Sequence, residues 1–149
     1  MNIYVGADHN GFELKKRVID YLQKSGYKVV DVGDKDFNPE DDFPKFASQV
    51  VKELLSGADN KDKGILICGS GQGMCMAANR HKGIRASLVW DTEEAKLARN
   101  DNDSNILCLP ARVLDDEKEI ERIIQVWLDT PFANATRYIR RNKQLDEIN

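Results

Sequence analysis

The stretch Lys63-Gly64-Ile65-Leu66-Ile67-Cys68-Gly69-Ser70-Gly71-Gln72-Gly73-Met74 leaves this chain few ways to fold. Ile65 to Ile67 has the continuous apolar character of a buried strand, and it ends at Cys68 in three glycines at alternate positions, Gly69, Gly71 and Gly73. A helix is expected next, because apolar Met74, Met76, Ala77 and Ala78 lead to polar Asn79 and Arg80. Glycines at a strand-to-helix handover make an anion site, since unpaired N–H groups and a positive dipole end face whatever the backbone lets approach. The pattern recurs in many nucleotide and phosphate binders. Cys68 at the strand end and Ser70 two residues on carry the added information.

The rest of the chain repeats the strand-then-helix alternation. Ile3 to Val5 reads as a strand ending in Gly6-Ala7-Asp8-His9-Asn10-Gly11, followed by a helical face of Leu14, Val18, Tyr21 and Leu22. Asp8 and His9 therefore sit on a βα loop, where parallel sheets bind ligands, although Asp8 is equally good as a helix cap. Gly26 closes that helix, and Lys28 to Val32 is the second strand. Pro44 suits the first turn of a helix whose core face is Phe46, Ala47, Val50, Val51, Leu54 and Leu55, ended by the turn at 56–60. Gly83 to Trp90 reads as the fourth strand, and Asp91 to Glu94 as a capping box opening a helix to about Arg99. After the polar loop Asn100 to Asn105, Ile106 to Leu109 is the fifth strand, and Glu117 to Leu128 a further amphipathic helix. Five strands alternating with helices, with no repeat and no linker, predict one α/β domain: a three-layer α/β/α sandwich around a parallel sheet.

Composition removes several function classes. With 149 residues there is room for one domain with a real core but not for two comfortable ones. No run reaches the length of a membrane span and the chain starts directly in a strand, so a cytoplasmic protein is expected. A net charge of −3 argues against a general nucleic-acid binder. Cys68, Cys75 and Cys108 lack CxxC spacing, which supports neither a zinc site nor a disulfide framework, and Cys75 and Cys108 are expected to be buried apolar thiols.

The last segment, from about Asn134 to the end, carries Arg137, Arg140, Arg141 and Lys143 but few apolar anchors, chiefly Tyr138, Leu145 and Ile148. A solvated cationic face is the plain reading. The other is a helix that leaves its own domain to pack on a second subunit, to which its arginines then become ligand groups. Together, a thiol, a nearby hydroxyl, glycine amides, an acid, a histidine and arginines suit proton transfer beside a carbonyl on a phosphorylated substrate. A thiolate is the active form of such a base, and a helix N-terminus favours it.

The blocks Gly6-Ala7-Asp8-His9-Asn10-Gly11-Phe12-Glu13-Leu14-Lys15, Asp42-Phe43-Pro44, Gly64 to Gly73, Ala77-Ala78-Asn79-Arg80, Gly83-Ile84-Arg85-Ala86 and Asn102-Asp103-Ser104-Asn105 resemble, in register over essentially the whole chain, the B-type ribose-5-phosphate isomerases and the related galactose-6-phosphate and allose-6-phosphate isomerases. The resemblance implies a Rossmann-like five-stranded sheet with an extended C-terminal helix, and an aldose–ketose isomerase working through a cis-enediolate without metal or organic cofactor. It implies a homodimer, or a dimer of dimers, with the active site between subunits and no nucleic-acid or membrane partner. Cys68 matches the family's base between C1 and C2, Ser70 the hydroxyl that shuttles protons between O1 and O2, and the amides of Gly69, Gly71 and Gly73 the anion hole. Asp8 matches the acid that contacts the sugar, His9 a residue near the phosphate, and Asn102 a loop residue that holds the sugar. Arg112, Arg137 and Arg141 match the phosphate clamp, the last two crossing to the partner.

Three departures from the family pattern stand out. Asp101 occupies the position of the histidine that opens the furanose ring, and a carboxylate at neutral pH accepts a proton far more readily than it donates one. Ala133-Asn134-Ala135-Thr136-Arg137-Tyr138 replaces a Gly-Gly-Arg-His run, which puts Tyr138 where a phosphate-side histidine is common. Met74 is apolar where one subgroup has a glutamate base. Two alternatives to a ribose 5-phosphate isomerase follow: an isomerase of allose 6-phosphate or galactose 6-phosphate, and a non-catalytic sugar-phosphate sensor on the same fold.

Overall fold

In a computed structural model, residues 1–57 and 61–148 are described. The strands are β1 (Asn2–Ala7), β2 (Lys28–Asp31), β3 (Lys63–Cys68), β4 (Ala86–Leu88) and β5 (Ile106–Pro110). The helices are α1 (Phe12–Lys24), α2 (Phe43–Ser56), α3 (Gln72–Ala78), α4 (Thr92–Asn100), α5 (Glu117–Asp129) and α6 (Thr136–Asp146). All four strand pairings are parallel, in the order β2-β1-β3-β5-β4. Helices cover both faces, as expected of a sheet whose central strands are apolar on both sides.

Strand alternation sorts the core into two layers. Ile3, Val5, Ile65, Ile67, Leu107 and Leu109 face α1, α4 and α5, whose contributions include Leu22, Ala95, Ile123 and the fully buried Trp127. Tyr4, Leu66, Cys68, Ile106 and Cys108 face the other way, onto Phe46, Ala47, Val50 and Val51 of α2 and Met74 and Ala78 of α3. The thiol of Cys68 thus belongs to the α2–α3 side of the sheet.

Local signals explain most helix ends. Asp91 accepts the Glu94 N–H at 2.8 Å, and Asp116 accepts those of Lys118 and Glu119, caps worth about 1 kcal/mol each. Pro44 lies in the first turn of α2, and Gly26 at φ 85° turns the chain after α1. The helix-ending turn expected at 56–60 lies outside the described residues from position 58 on.

Three expectations need correction. The fourth strand is only Ala86–Leu88 instead of Gly83 to Trp90, because Gly83 has φ 80° and the Arg85 N–H is taken by the Asn105 side chain at 2.8 Å, not by a ladder partner. Leu55 is 54% exposed, one position past the buried stripe of α2 that Val50 and Val51 continue. The last helix starts at Thr136, since Asn134 adopts φ 53°, and it ends at Asp146.

Candidate active site

Strand order reverses direction at β1, with β2 on one side and β3 on the other, so a crevice opens outside the carboxyl ends of β1 and β3. Three loops meet there. The Asp8 N–H, just past β1, donates to Ile67 O of β3 at 3.2 Å, and the Arg112 N–H, past β5, donates to Gly69 O at 2.9 Å. Asp8, Cys68 and Arg112 are therefore held along one edge of the sheet by the ladder that builds it.

Cys68 is 5% exposed, at the last position of β3. The Gly71 N–H donates to its sulfur at 3.1 Å. Gly71 can aim that bond because it adopts φ 72°, and a Cβ there would come within 2.4 Å of Leu88 Cδ1. Of the three glycine amides expected to surround an anion, this one is directed at the thiol instead. Ser70 is exposed at the turn, with its Oγ accepting the Gln72 N–H at 3.3 Å. The Arg112 guanidinium lies across Gly69, its Nε 2.9 Å from where a Cβ would stand, and the ring of Phe43 covers Gly73 in the same way.

Asp8 is 5% exposed and caps the single 3-10 turn His9–Gly11, accepting the Gly11 N–H at 3.1 Å. Burial pushes its carboxyl pKa up, against the opposing pull of that hydrogen bond. His9 is one third exposed, with its Nδ1 2.6 Å from Asp41 Oδ1 and its Nε2 3.0 Å from Asn10 Nδ2. The hydrogen bond to Asp41 pushes the His9 pKa up, against the opposing effect of burial. Asp41 is a site residue that sequence reasoning missed. It lies 32 positions from His9 in an acidic loop, with no local signal to separate it from its neighbours.

Asp101 and Asn102 are not in this crevice. They follow α4 and precede β5, whose first residue Ile106 pairs with Gly64 near the start of β3, whereas Cys68 pairs with Pro110 at the far end. Four residues of strand put the two edges roughly 13 Å apart. The C-terminal segment joins Asp101 and Asn102 there: Asn142 Nδ2 donates to Asp101 O at 3.4 Å, and the Ala133 N–H to Asn100 O at 3.0 Å. Arg137 donates to the Tyr138 hydroxyl at 2.9 Å, a bond that with the neighbouring Asp101 carboxylate pushes its pKa further up. Arg141, one turn on, is exposed. The predicted site residues thus fall into two groups on opposite edges: Asp8, His9, Cys68, Gly69, Ser70, Gly71, Gly73 and Arg112 on one, Asp101, Asn102, Arg137 and Arg141 on the other.

Cys108 is fully buried, as expected, but Cys75 is only half-buried, and a hydrogen bond from Cys108 lowers its pKa to about 7. Among the described residues no cluster of histidine, cysteine or carboxylate groups is arranged to hold a metal ion, and no helix is long and apolar enough to cross a membrane.

Residues 3–145 match the family described as Ribose/Galactose Isomerase. The chain is 40% identical over 147 residues to the probable ribose-5-phosphate isomerase B of Mycoplasma genitalium, covering 99% of this chain and 93% of that one. The crystal structure of a ribose 5-phosphate isomerase from Thermotoga maritima superposes with a TM-score of 0.91 at 42% identity, over 99% of this chain and 98% of the other. A Mycoplasma genitalium ribose-5-phosphate isomerase B solved with bound ribulose-5-phosphate gives 0.91 at 39% identity, over 97% and 93%.

Proposed function

Because the chain belongs to the Ribose/Galactose Isomerase family, we propose that it is an aldose–ketose isomerase whose substrate pair is ribose 5-phosphate and ribulose 5-phosphate. Cys68 Sγ takes the proton from C2 of the open-chain aldose, the C1–C2 bond becomes an enediolate, and the proton returns at C1. Ser70 moves the hydroxyl proton between O1 and O2, while the amides of Gly69 and Gly73 face the developing oxyanion and that of Gly71 stays on the Cys68 sulfur. Asp8 holds the sugar hydroxyls, and His9 and Arg112 the phosphate. The observation that carries this reading is the placing of a buried thiol, held by the Gly71 amide, in the switch-point crevice beside a buried acid and an arginine.

The working unit is a homodimer on this reading. Asn102, Arg137 and Arg141 lie on the opposite edge from Cys68, so they serve a sugar phosphate only if a second copy presents them. α6 suits that role: its one buried side chain is Asn142, while Ile139 and Leu145 on it are each 49% exposed and Ile148 just beyond is 70% exposed. Phosphorylated sugars do not cross membranes unaided, so the reading puts the protein in the cytoplasm with its substrate.

A panel of aldose and ketose phosphates followed by proton NMR in heavy water tests this. Ribose 5-phosphate is expected to exchange its C2 proton and turn over, and Cys68→Ala to lose roughly 10²- to 10⁴-fold in rate while still binding substrate. Turnover of allose or galactose 6-phosphate alone would move the substrate to a hexose, and binding without exchange would make the protein a sensor.

A further inference from the structure

The block Gly83-Ile84-Arg85-Ala86 has no part in the chemistry above, yet Arg85 makes more polar contacts than any site residue. Its Nε donates to Asn102 O at 2.9 Å and to Asp103 O at 3.3 Å. Nη2 donates to Asp103 O at 3.1 Å and to Asp103 Oδ2 at 3.2 Å. Nη1 reaches the other way, to both carboxylate oxygens of Asp146 at 3.0 Å, in the last turn of α6. One planar guanidinium with its side chain 17% exposed therefore joins the loop that carries Asp101 and Asn102 to the helix that carries Arg137 and Arg141.

Both parts need such a tie. Asp103 has φ 45°, a left-handed conformation that a residue with a side chain holds only when its surroundings impose it. Arg99 supports it from the core side, through Nη1 to Asp103 Oδ1 at 2.7 Å and Ser104 O at 2.6 Å, and Arg85 from the surface side. α6, with one buried side chain, has little apolar packing to fix its direction.

We propose that Arg85 is the positioning residue of the half-site that each chain lends to its partner: it touches no substrate, but sets the Asn102 loop and the α6 arginines relative to each other. The inference rests on the isomerase reading. It predicts a specific genetic behaviour, because damage at Arg85 falls on the partner's active site and leaves the chain's own Cys68 half intact.

Subunit mixing tests it. Arg85→Ala is expected to lower kcat/KM by about 10²-fold, the scale set by misplacing a binding group by an ångström. Cys68→Ala is inactive for its own reason. Co-refolded at equal amounts, the two are expected to recover roughly a quarter of wild-type activity, since half the dimers are mixed and each holds one intact site. Mixed dimers seen by native mass spectrometry that stay inactive would overturn the proposal, as would an Arg85→Ala homodimer with wild-type kcat/KM. If Arg85→Ala does not fold, Asp146→Asn decides, because it keeps the four loop bonds and weakens only the α6 arm. It should raise KM several-fold with kcat little changed, weaken inorganic phosphate as a competitive inhibitor, and be corrected by mixing with Cys68→Ala; unchanged KM overturns the proposal. A wild type inactive on every sugar phosphate removes the isomerase reading and this inference together, whereas an active wild type with failed complementation removes this inference alone.

Discussion

Asp41 holds His9 twice with one oxygen: Oδ1 lies 2.6 Å from the imidazole Nδ1 and accepts the His9 backbone N–H at 3.0 Å. The side chain of Asp41 is 6% exposed, so this carboxylate is a buried anchor for a ring that remains open to the crevice. A histidine paired in this way keeps its proton above its ordinary range near 6.5.

KM for the sugar phosphate should therefore stay flat from pH 7, where the phosphate is a dianion, up to the raised pKa of His9, and climb beyond it. Asp41→Asn should bring that climb to lower pH without altering kcat at pH 6.5. The stability sign is the same: the pair contributes fully below the unfolded pKa near 6.5, and its contribution is lost as pH rises through the folded value. KM against pH for the two proteins checks it; identical profiles would exclude His9 from the phosphate site.

Asp8 moves stability in the same direction as His9, but through burial instead of pairing and from a lower pH. Its carboxyl pKa is raised by burial, so the folded state holds the proton longer than the unfolded chain, and stability falls as pH rises from near 3.8 through the folded value. Asp8→Asn keeps an oxygen for the Gly11 N–H and carries no charge. It should melt no lower than the wild type at pH 7 while losing turnover, which thermal unfolding and assay read side by side.

Gly71→Ala should be destabilising and inactivating together. A Cβ would meet Leu88 Cδ1 at 2.4 Å and backbone atoms Leu109 C and Pro110 N at 3.2 Å, in a chain segment at φ 72°. The strain alone is about 1–3 kcal/mol. Relaxing it turns the amide away from the Cys68 sulfur, so the rate loss should exceed that of an equally destabilising change elsewhere in the core. Urea unfolding paired with kcat measures both.

Ser104→Ala tests the floor of the Asn102 loop. Trp127 Nε1 donates to Ser104 Oγ at 2.7 Å, with both residues fully buried. Removing the hydroxyl leaves the indole N–H without its acceptor, at a cost of about 1–3 kcal/mol. Trp127→Phe in the Ser104→Ala background should cost less than the sum of the two single changes, and a double-mutant cycle on denaturation midpoints reports the difference.

Local pattern made the Cys68 turn legible, because a buried strand, a glycine with φ above zero and a helix start all lie within a dozen residues. Asp41 was not, since its meaning lies in a partner 32 positions away. β4 reads longer than it is because apolar content does not reveal that the Asn105 side chain takes the Arg85 N–H. Lys15 is 2% exposed, buried on the strength of Asp31 and Asp34 across the first βαβ unit, which no helical period displays. The edge on which Asp101 and Asn102 lie had a signal: in an alternating parallel fold every helix-to-strand turn falls at the amino edge. What is not written in one chain's spacing is which edge of a second copy it meets.

The five residues of β5 separate the thiol from the Asn102 loop by the height of the sheet. On the dimer reading proposed above, a catalyst divided in this way does not operate as an isolated chain, so its output measures its own abundance. Dilution below the dissociation constant of the pair makes the rate fall with the square of chain concentration, and a cell that makes too little of the protein loses more than a proportionate share of the flux.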